Sequence, residues 1–154
     1  DIKELFDINF FGVLNITQAS YEQLKKSQGT VVIIGSVLGE LGIMKRSAYA
    51  ASKFALKGFY ESVRYEFKSV GINTILVQAG FIKTELRKSS KRSLAMDSDE
   101  IAEKIVKRIG KVGFKKVLIP RHAKVFASLN WILKRSLPNL IYRNRAFLER
   151  KIFK

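Results

Sequence analysis

Two apolar runs separated by one long helical segment limit this chain to a small set of folds. The run Thr30–Ile34 is β-branched throughout, which is typical of a parallel strand buried on both faces, and Ile72–Val77 has the composition of a second strand. Between them, Ala48–Val70 has the apolar spacing of a helix, and the hydroxyl of Ser47 is its expected N-cap. The order predicts a parallel sheet with helices on both faces.

Further elements continue this alternation on both sides. Apolar residues recur at helical spacing through Ile2–Lys26, which predicts one long helix with its exit turn at Gly29. Asp97 or Ser98 is the expected cap of a later helix, and Lys116–Ile119 resembles a last short strand. The fold class is therefore α/β, with strands and helices in regular succession.

Charge and composition exclude some functions and leave others open. The net charge is +16, from 29 basic and 13 acidic residues, which attracts nucleic acid, acidic lipid surfaces or anionic substrates. Cysteine is absent and histidine occurs once, so a thiolate or zinc cluster is not expected and a cytoplasmic address fits best. The longest apolar stretches fall well short of the ~20 residues of a membrane-spanning helix.

The segment 121–154 differs in character from the rest of the chain. It mixes aromatic and aliphatic residues with many lysines and arginines, has Glu149 as its one acidic residue, and is divided by Pro138 into two expected helices. Such a basic amphipathic segment can lie peripherally on an anionic membrane. It can equally pack over the sheet or a partner subunit with its charges in solvent.

A phenol and an ammonium group lie four residues apart at the start of the helix Ala48–Val70. At that spacing Tyr49 and Lys53 share one helix face, and the positive charge of Lys53 favours the phenolate form of Tyr49. The pair alone is also common on solvated helices. Ser36, however, follows the first strand, where a parallel sheet directs groups towards a ligand, and its hydroxyl can bond a substrate oxygen.

These residues occur in a recognisable order. The motif YxxxK at Tyr49 and Lys53, Ser36 in IIGSVLG and Asn9 in DINFFGVLN resemble the short-chain dehydrogenase/reductase family. The segment Ala79–Thr84 is similar to that family's PGxxxT turn, with alanine in place of the usual proline. Alanine leaves the turn freer, so we expect slightly looser positioning of the nicotinamide.

The resemblance covers about Ile2 to Ile119 and implies a domain organisation. Residues 1–120 are the expected catalytic part of a Rossmann-type domain, with the later strands and helices of its doubly wound parallel sheet, and 121–154 is a basic helical extension. The family's TGxxxGxG loop and the residue that selects NAD or NADP have no counterpart in this chain. Gly35, Gly39 and Gly42 follow a strand at the wrong spacing.

The resemblance also implies an activity, the transfer of hydride between NAD or NADP, with NADP favoured, and a carbonyl or alcohol carbon. Tyr49 is then the general acid or base, Lys53 its electrostatic partner and a ligand of the nicotinamide ribose. Ser36 orients the substrate oxygen, and Asn9 anchors a water in a proton relay to Lys53. The implied cofactor contacts are Tyr49, Lys53, Gly80, Phe81, Ile82 and Thr84.

Structural alternatives remain open for several of these positions. Asn9 could bond backbone, Ser36 could cap a turn and Thr84 could cap a helix. The protein as a whole could also be a truncated, inactive interaction or membrane-surface module that kept the fold. An isolated half-sheet exposes an unpaired strand edge, so catalysis by this chain alone is not expected.

Partners follow from the resemblance and from the charge. We expect a small carbonyl or alcohol substrate, lipophilic or anionic, because the stretch after the nicotinamide turn carries Arg87, Lys88, Lys91 and Arg92. A homo-oligomer in the full-length protein is expected through the helices 2–26 and 48–70. Nucleic-acid binding rests on charge alone, without a recognisable motif, and is not expected.

Overall fold

A computed structural model describes residues 1–82 and 96–109 in full and the backbone of 115–119. The chain alternates helices and strands as the sequence predicts. The elements in order are α1 (Ile2–Phe6), a π-helical segment (Asp7–Phe11), α2 (Gly12–Ala19), α3 (Tyr21–Ser27), β1 (Thr30–Ser36), a 3-10 turn (Val37–Gly39), α4 (Ser47–Ser69), β2 (Asn73–Ala79), α5 (Ser98–Val106) and β3 (Lys115–Ile119).

The three strands form one parallel sheet in the order β1-β2-β3. Thr30 pairs with Asn73 at one end of β1 and Ser36 pairs with Ala79 at the other, while Ala79 also pairs with Ile119. The carboxyl ends of all three strands therefore meet at one edge. In an open α/β sheet this is the edge at which ligands bind.

The core lies on both faces of the sheet. On one face α4 packs against β1 and β2 through fully or nearly fully buried side chains, which are Ile33, Leu56, Tyr60 and Leu76. On the other face Ile101 of α5 packs against Ile75 and Val77. Strand residues alternate between these faces, since successive side chains of a strand point to opposite sides. The predicted doubly wound arrangement is thus confirmed for the described elements.

The predicted single helix Ile2–Lys26 is wrong in detail. The helix passes through one wide turn at Asp7–Phe11 and is interrupted at Ser20, where the backbone dihedrals are φ −90° and ψ −4°. The apolar spacing could not show this, because a π turn adds one residue without changing which side chains are apolar. Asn9 lies within this π-helical segment and belongs to the site described below.

The two predicted helix caps have different outcomes. Asp97 caps α5 as expected, and its carboxylate accepts a hydrogen bond from the backbone N–H of Asp99 at 3.1 Å. Ser47, in contrast, is the first residue of α4, and Arg46 occupies the cap position without a side-chain bond. The loop before α4 therefore ends one residue earlier than the hydroxyl of Ser47 suggested.

Several sequence predictions fall outside the described residues. These are Thr84, the basic stretch Arg87–Arg92 and the extension 121–154, with its two expected helices. Within the described part of the chain, no helix is long and apolar enough to cross a membrane.

Candidate active site

Tyr49 and Lys53 lie on the first two turns of α4, near the carboxyl edge of the sheet. The Nζ atom of Lys53 is 5.8 Å from the centroid of the Tyr49 ring, and both side chains are half-buried. A cation at this distance is attracted by the face of an aromatic ring. The four-residue spacing thus brings the phenol and the ammonium together, as the sequence predicts.

The environment of Lys53 is unusual for a lysine. Burial lowers the pKa of its ammonium below the ordinary value of 10.5, because desolvation penalises the charged form. Among the residues that the structure describes, neither this ammonium nor the hydroxyl of Tyr49 has a hydrogen-bond partner, and Lys53 has no carboxylate partner. Two polar groups are therefore available to bind a ligand from one side of α4.

Ser36 is the last residue of β1 and is largely buried. Its Oγ accepts a hydrogen bond from the backbone N–H of Leu38 at 3.1 Å and so caps the 3-10 turn that follows. The structural alternative for Ser36 is thus present. It does not exclude the substrate role, because a hydroxyl that accepts one bond keeps its own proton for another acceptor.

The 3-10 turn brings the region of Ser36 against α4. Gly39, at the end of the turn, approaches the helix so closely that an added Cβ would lie 2.8 Å from the carbonyl oxygen of Lys53. Any side chain there would force the turn and the helix apart. The absence of a side chain at Gly39 is what lets the serine segment and the helix that carries Tyr49 meet.

Asn9 reaches the same helix from the π-helical segment. Its Nδ2 donates a hydrogen bond to Oγ of Ser52 at 3.2 Å, although the two residues are 43 positions apart. Ser52 is fully buried and its hydroxyl donates in turn to the backbone carbonyl of Tyr49 at 2.9 Å. Asn9 is therefore coupled to the backbone of Tyr49 through Ser52, and π turns of this kind occur frequently at functional sites.

Sequence reasoning did not single out Ser52. It also missed Gln78, a fully buried residue of β2 whose Nε2 donates to a carboxylate oxygen of Glu40 at 3.0 Å. A signal for Gln78 exists in the sequence, since an amide within an otherwise aliphatic strand requires a polar partner. Ser52 had only its position within the YxxxK segment.

The predicted cofactor turn begins directly after β2. Gly80, Phe81 and Ile82 are half-buried, and the carbonyl of Phe81 accepts a hydrogen bond from the N–H of Met96 at 3.0 Å. Ile82 packs against the core cluster on the α5 face. The turn therefore begins at the carboxyl end of the sheet, where the resemblance places nicotinamide, and Ile82 forms an isolated parallel bridge with Met96.

The described residues fit a nicotinamide cofactor in their donor chemistry. The half-buried ammonium of Lys53 has no hydrogen-bond partner among the described residues and suits a neutral hydroxyl such as that of a ribose. The described residues contain no group of three or more histidine, cysteine or acidic side chains that could hold a metal ion. The polar site is thus built around one phenol, one ammonium and one hydroxyl.

A parallel sheet with helices on both faces and a polar site at its carboxyl edge defines a Rossmann-type α/β protein. A family profile described as "short chain dehydrogenase" matches residues 1–95. The chain therefore belongs to the short-chain dehydrogenase family.

Two curated relatives illustrate the similarity. Retinol dehydrogenase 8 of Homo sapiens is 40% identical over 85 residues, which are 54% of this chain and 27% of that protein. Hydroxysteroid 11-beta-dehydrogenase 1-like protein A of Xenopus laevis is 38% identical over 106 residues, which are 65% of this chain and 36% of that protein. The chain matches only about a third of the length of these relatives.

Solved structures share the fold. A short chain dehydrogenase of Burkholderia cenocepacia, in complex with NADP, superposes with a TM-score of 0.78 at 23% identity, over 93% of this chain and 58% of its own. An alcohol dehydrogenase of Thermococcus sibiricus, complexed with 5-hydroxy-NADP, gives a TM-score of 0.69 at 20% identity, over 77% of this chain and 53% of its own. The Rossmann-type fold expected from the sequence is confirmed.

Proposed function

We propose that the protein carrying this chain is an NAD(P)-dependent oxidoreductase that interconverts a carbonyl and an alcohol. The observation that carries the proposal is the pairing of Tyr49 and Lys53 on α4, beside the turn that begins at Ser36. The polar group of each has no hydrogen-bond partner within the part of the chain that the structure describes. Family membership supplies the reaction class.

Proton transfer at the substrate oxygen is the task of Tyr49. In reduction its hydroxyl donates a proton to the oxygen of the former carbonyl, and in oxidation its phenolate accepts the proton of the alcohol. The ammonium of Lys53 stabilises that phenolate by its charge. The hydroxyl of Ser36 donates a hydrogen bond to the same substrate oxygen, without transferring its proton, and stabilises the negative charge that develops there.

Asn9 and Ser52 hold the helix turn that carries the phenol. The bond from Asn9 to Ser52 and the bond from Ser52 to the Tyr49 carbonyl tie the π-helical segment to α4. The family resemblance further implies that Asn9 anchors a water that relays protons to Lys53.

The cofactor of this proposal is NAD or NADP, with NADP favoured. When bound, it supplies or accepts the hydride. Lys53 would hold its ribose, and the turn containing Gly80, Phe81 and Ile82 would border its nicotinamide. The expected contact of Thr84 lies outside the described residues. Two similar solved structures, described as complexes with NADP and a modified NADP, support this choice.

The substrate is proposed to be a lipophilic alcohol or ketone. The segment between Ser36 and Tyr49 carries apolar side chains near the site, and Met44 among them is 53% exposed. Exposed apolar side chains next to a polar reaction centre favour a substrate that is apolar apart from its reacting group. The names of the relatives, retinol and hydroxysteroid dehydrogenases, agree with this class.

Replacement of Tyr49 by phenylalanine tests the function. Tyr49→Phe removes only the hydroxyl, so turnover of a carbonyl substrate by the native gene product should fall about 10²–10⁴-fold, the usual contribution of general acid catalysis. Tyr65→Phe is the matched control, because Tyr65 lies on the same helix and is largely exposed. Normal turnover by Tyr49→Phe, or a native product without NADH or NADPH binding, contradicts the proposal.

A second candidate, a non-enzymatic interaction module, is favoured by the exposed apolar side chains of the helices. Ile8, Ile16, Phe54 and Tyr65 are all exposed. The same side chains suit a homo-oligomer of the full-length protein, which sedimentation of the native product measures. A dimer that does not bind a nicotinamide cofactor would favour the module.

Cytoplasmic localisation and peripheral membrane contact of the segment 121–154 stay predictions.

A further inference from the structure

The centre of the sheet contains a polar side chain that the proposed mechanism does not use. Gln78 of β2 is fully buried, and its Nε2 donates to Oε1 of Glu40 at 3.0 Å across 38 positions of sequence. Its own Oε1 is buried and has no hydrogen-bond partner among the residues that the structure describes. A buried amide with an unbonded oxygen is less favourable than an apolar side chain of equal size, so stability alone does not account for Gln78.

Gly35 opens the path that this amide follows. Gly35 is the register partner of Gln78 on β1, and an added Cβ on Gly35 would lie 2.2 Å from Oε1 of Gln78. No real Cβ tolerates that distance to a fixed atom. The amide therefore crosses β1 through the space that the missing side chain leaves, directly before Ser36.

The amide ends beneath the 3-10 turn. A Cβ added to Gly39 would lie 3.3 Å from Nε2 of Gln78 and 2.8 Å from the carbonyl oxygen of Lys53. The turn is thus enclosed between the sheet and α4. Glu40 closes it, since its backbone N–H donates to the carbonyl of Val37 at 2.9 Å while its carboxylate accepts from Gln78.

We propose that Gln78 and Glu40 are a positioning pair that fixes the 3-10 turn, and with it the hydroxyl of Ser36, relative to Tyr49 and Lys53. The inference rests on the proposed function, because it gives the hydrogen bond a role in turnover. Ser36, at the end of β1, precedes the turn and Glu40 follows it. The strand fixes the first end of the turn, and the bond from Gln78 to Glu40 fixes the second end. The amide nitrogen of Gln78 lies towards Glu40 and donates to its side-chain oxygen.

A swap of the two groups tests the pair. Gln78→Glu places a second carboxylate beside Glu40 with little change of shape, and two adjacent carboxylates repel once both are ionised. We expect kcat to fall roughly 10–100-fold at high pH, since displacement of a positioned group by about 1 Å has effects of this size, and to recover as the pH falls and one carboxyl takes a proton. The double variant Gln78→Glu with Glu40→Gln restores one amide–carboxylate bond and should restore kcat at every pH.

Gln23→Glu is the control, because it makes the same chemical change at an exposed position of α3. Should Gln78→Glu fail to fold, Glu40→Ala replaces it, since Glu40 is only half-buried and its truncation leaves the sheet intact. Its kcat should fall while its KM changes little. An unchanged kcat in Glu40→Ala, or a swap that does not rescue Gln78→Glu, overturns the inference.

Hydrogen exchange separates this inference from the proposed function. The N–H groups of Leu38 and Glu40 both bond within the turn, to Ser36 Oγ and to the Val37 carbonyl. Loss of the Gln78–Glu40 bond should speed their exchange, and the swap should slow it again, whether or not the protein turns over a substrate. If these N–H groups exchange faster in the variants but the protein turns over no substrate, the proposed function is refuted, whereas the fixing of the turn by Gln78 and Glu40 is supported. Normal exchange and a normal pH profile with a lowered Tm make the pair merely structural and refute the inference.

Discussion

The two faces of the sheet differ in how closely the described side chains pack on them. The face towards α4 is packed by side chains with almost no exposure, and it also holds the polar residues that border the site, Ser52 and Gln78. On the opposite face, α5 is the one described helix that packs on the strands, and Ile34 of β1 is 48% exposed. The α4 face therefore holds the site in place, whereas on the α5 face the described residues leave the side chain of Ile34 half exposed.

This difference indicates which face of the sheet needs the more closely fixed side-chain positions. A site that depends on distances between Ser36, Tyr49 and Lys53 needs rigid neighbours, and dense packing supplies them. The face that carries no catalytic side chain tolerates looser cover. Substitutions on the two faces should therefore differ in their effect on the free energy of unfolding.

Truncation on the α4 face has the largest expected effect. Leu56 has no exposed surface and lies among Ile33, Tyr60 and Leu76. Leu56→Ala should lower the free energy of unfolding by about 2–5 kcal/mol, because the cavity cannot collapse within a closely packed cluster. Chemical denaturation measures this value. A loss below about 1 kcal/mol would show that the α4 face is as loosely packed as the other.

The buried charge of Lys53 gives a smaller effect with a defined dependence on pH. Burial lowers its pKa in the folded state from 10.5, so between the lowered value and 10.5 the unfolded chain binds more protons and the stability of the wild type rises with pH. Lys53→Met lacks this penalty. Its Tm should exceed that of the wild type at pH 7, and the difference should shrink as the pH approaches 10.

Lys57→Met is the control for this titration, because Lys57 lies one turn further along α4 and pairs with Glu61 at 3.0 Å. We expect it to show no gain in Tm. A Tm difference for Lys53→Met that is constant from pH 7 to 10 would attribute its effect to packing instead of charge.

The smallest effect is expected on the α5 face. Ile34→Ala removes a side chain that is already half in solvent, so the free energy of unfolding should change by less than about 1 kcal/mol. Thermal and chemical unfolding of the same preparation measure it. A loss as large as that of Leu56→Ala would abolish the contrast between the faces.

Local sequence patterns were sufficient for most of the secondary structure. The runs Thr30–Ile34 and Ile72–Val77 gave β1 and β2 to within two residues, since β-branched composition and burial act on each residue separately. The same holds for the pair on α4, because helical spacing alone places Tyr49 beside Lys53. The cap at Asp97 followed from local hydrogen bonding as well.

The remainder of the site depends on contacts that local patterns do not contain. The π turn at Asp7–Phe11 lies beside the bond of Asn9 to Ser52, which joins residues 43 positions apart. The bond of Gln78 to Glu40 requires Gly35 as well, so three separate segments determine it. Sequence spacing describes one element at a time, and these bonds exist only after the elements have packed.

The parallel pairing of β1 and β2 has a consequence for how the chain folds during its synthesis. Parallel pairing through a helical crossover requires α4 to be complete, so β1 cannot pair with β2 until β2 has been synthesised. At ~5–20 residues per second, translation of the roughly forty residues from the end of β1 to the end of β2 takes about 2–8 seconds. During that interval the edge of β1 that will receive β2 is unpaired, and an uncharged β-branched run of this type favours intermolecular β-pairing. The soluble yield of the protein should therefore respond to the speed of the ribosome and the supply of chaperones, independently of the stability that the finished sheet attains.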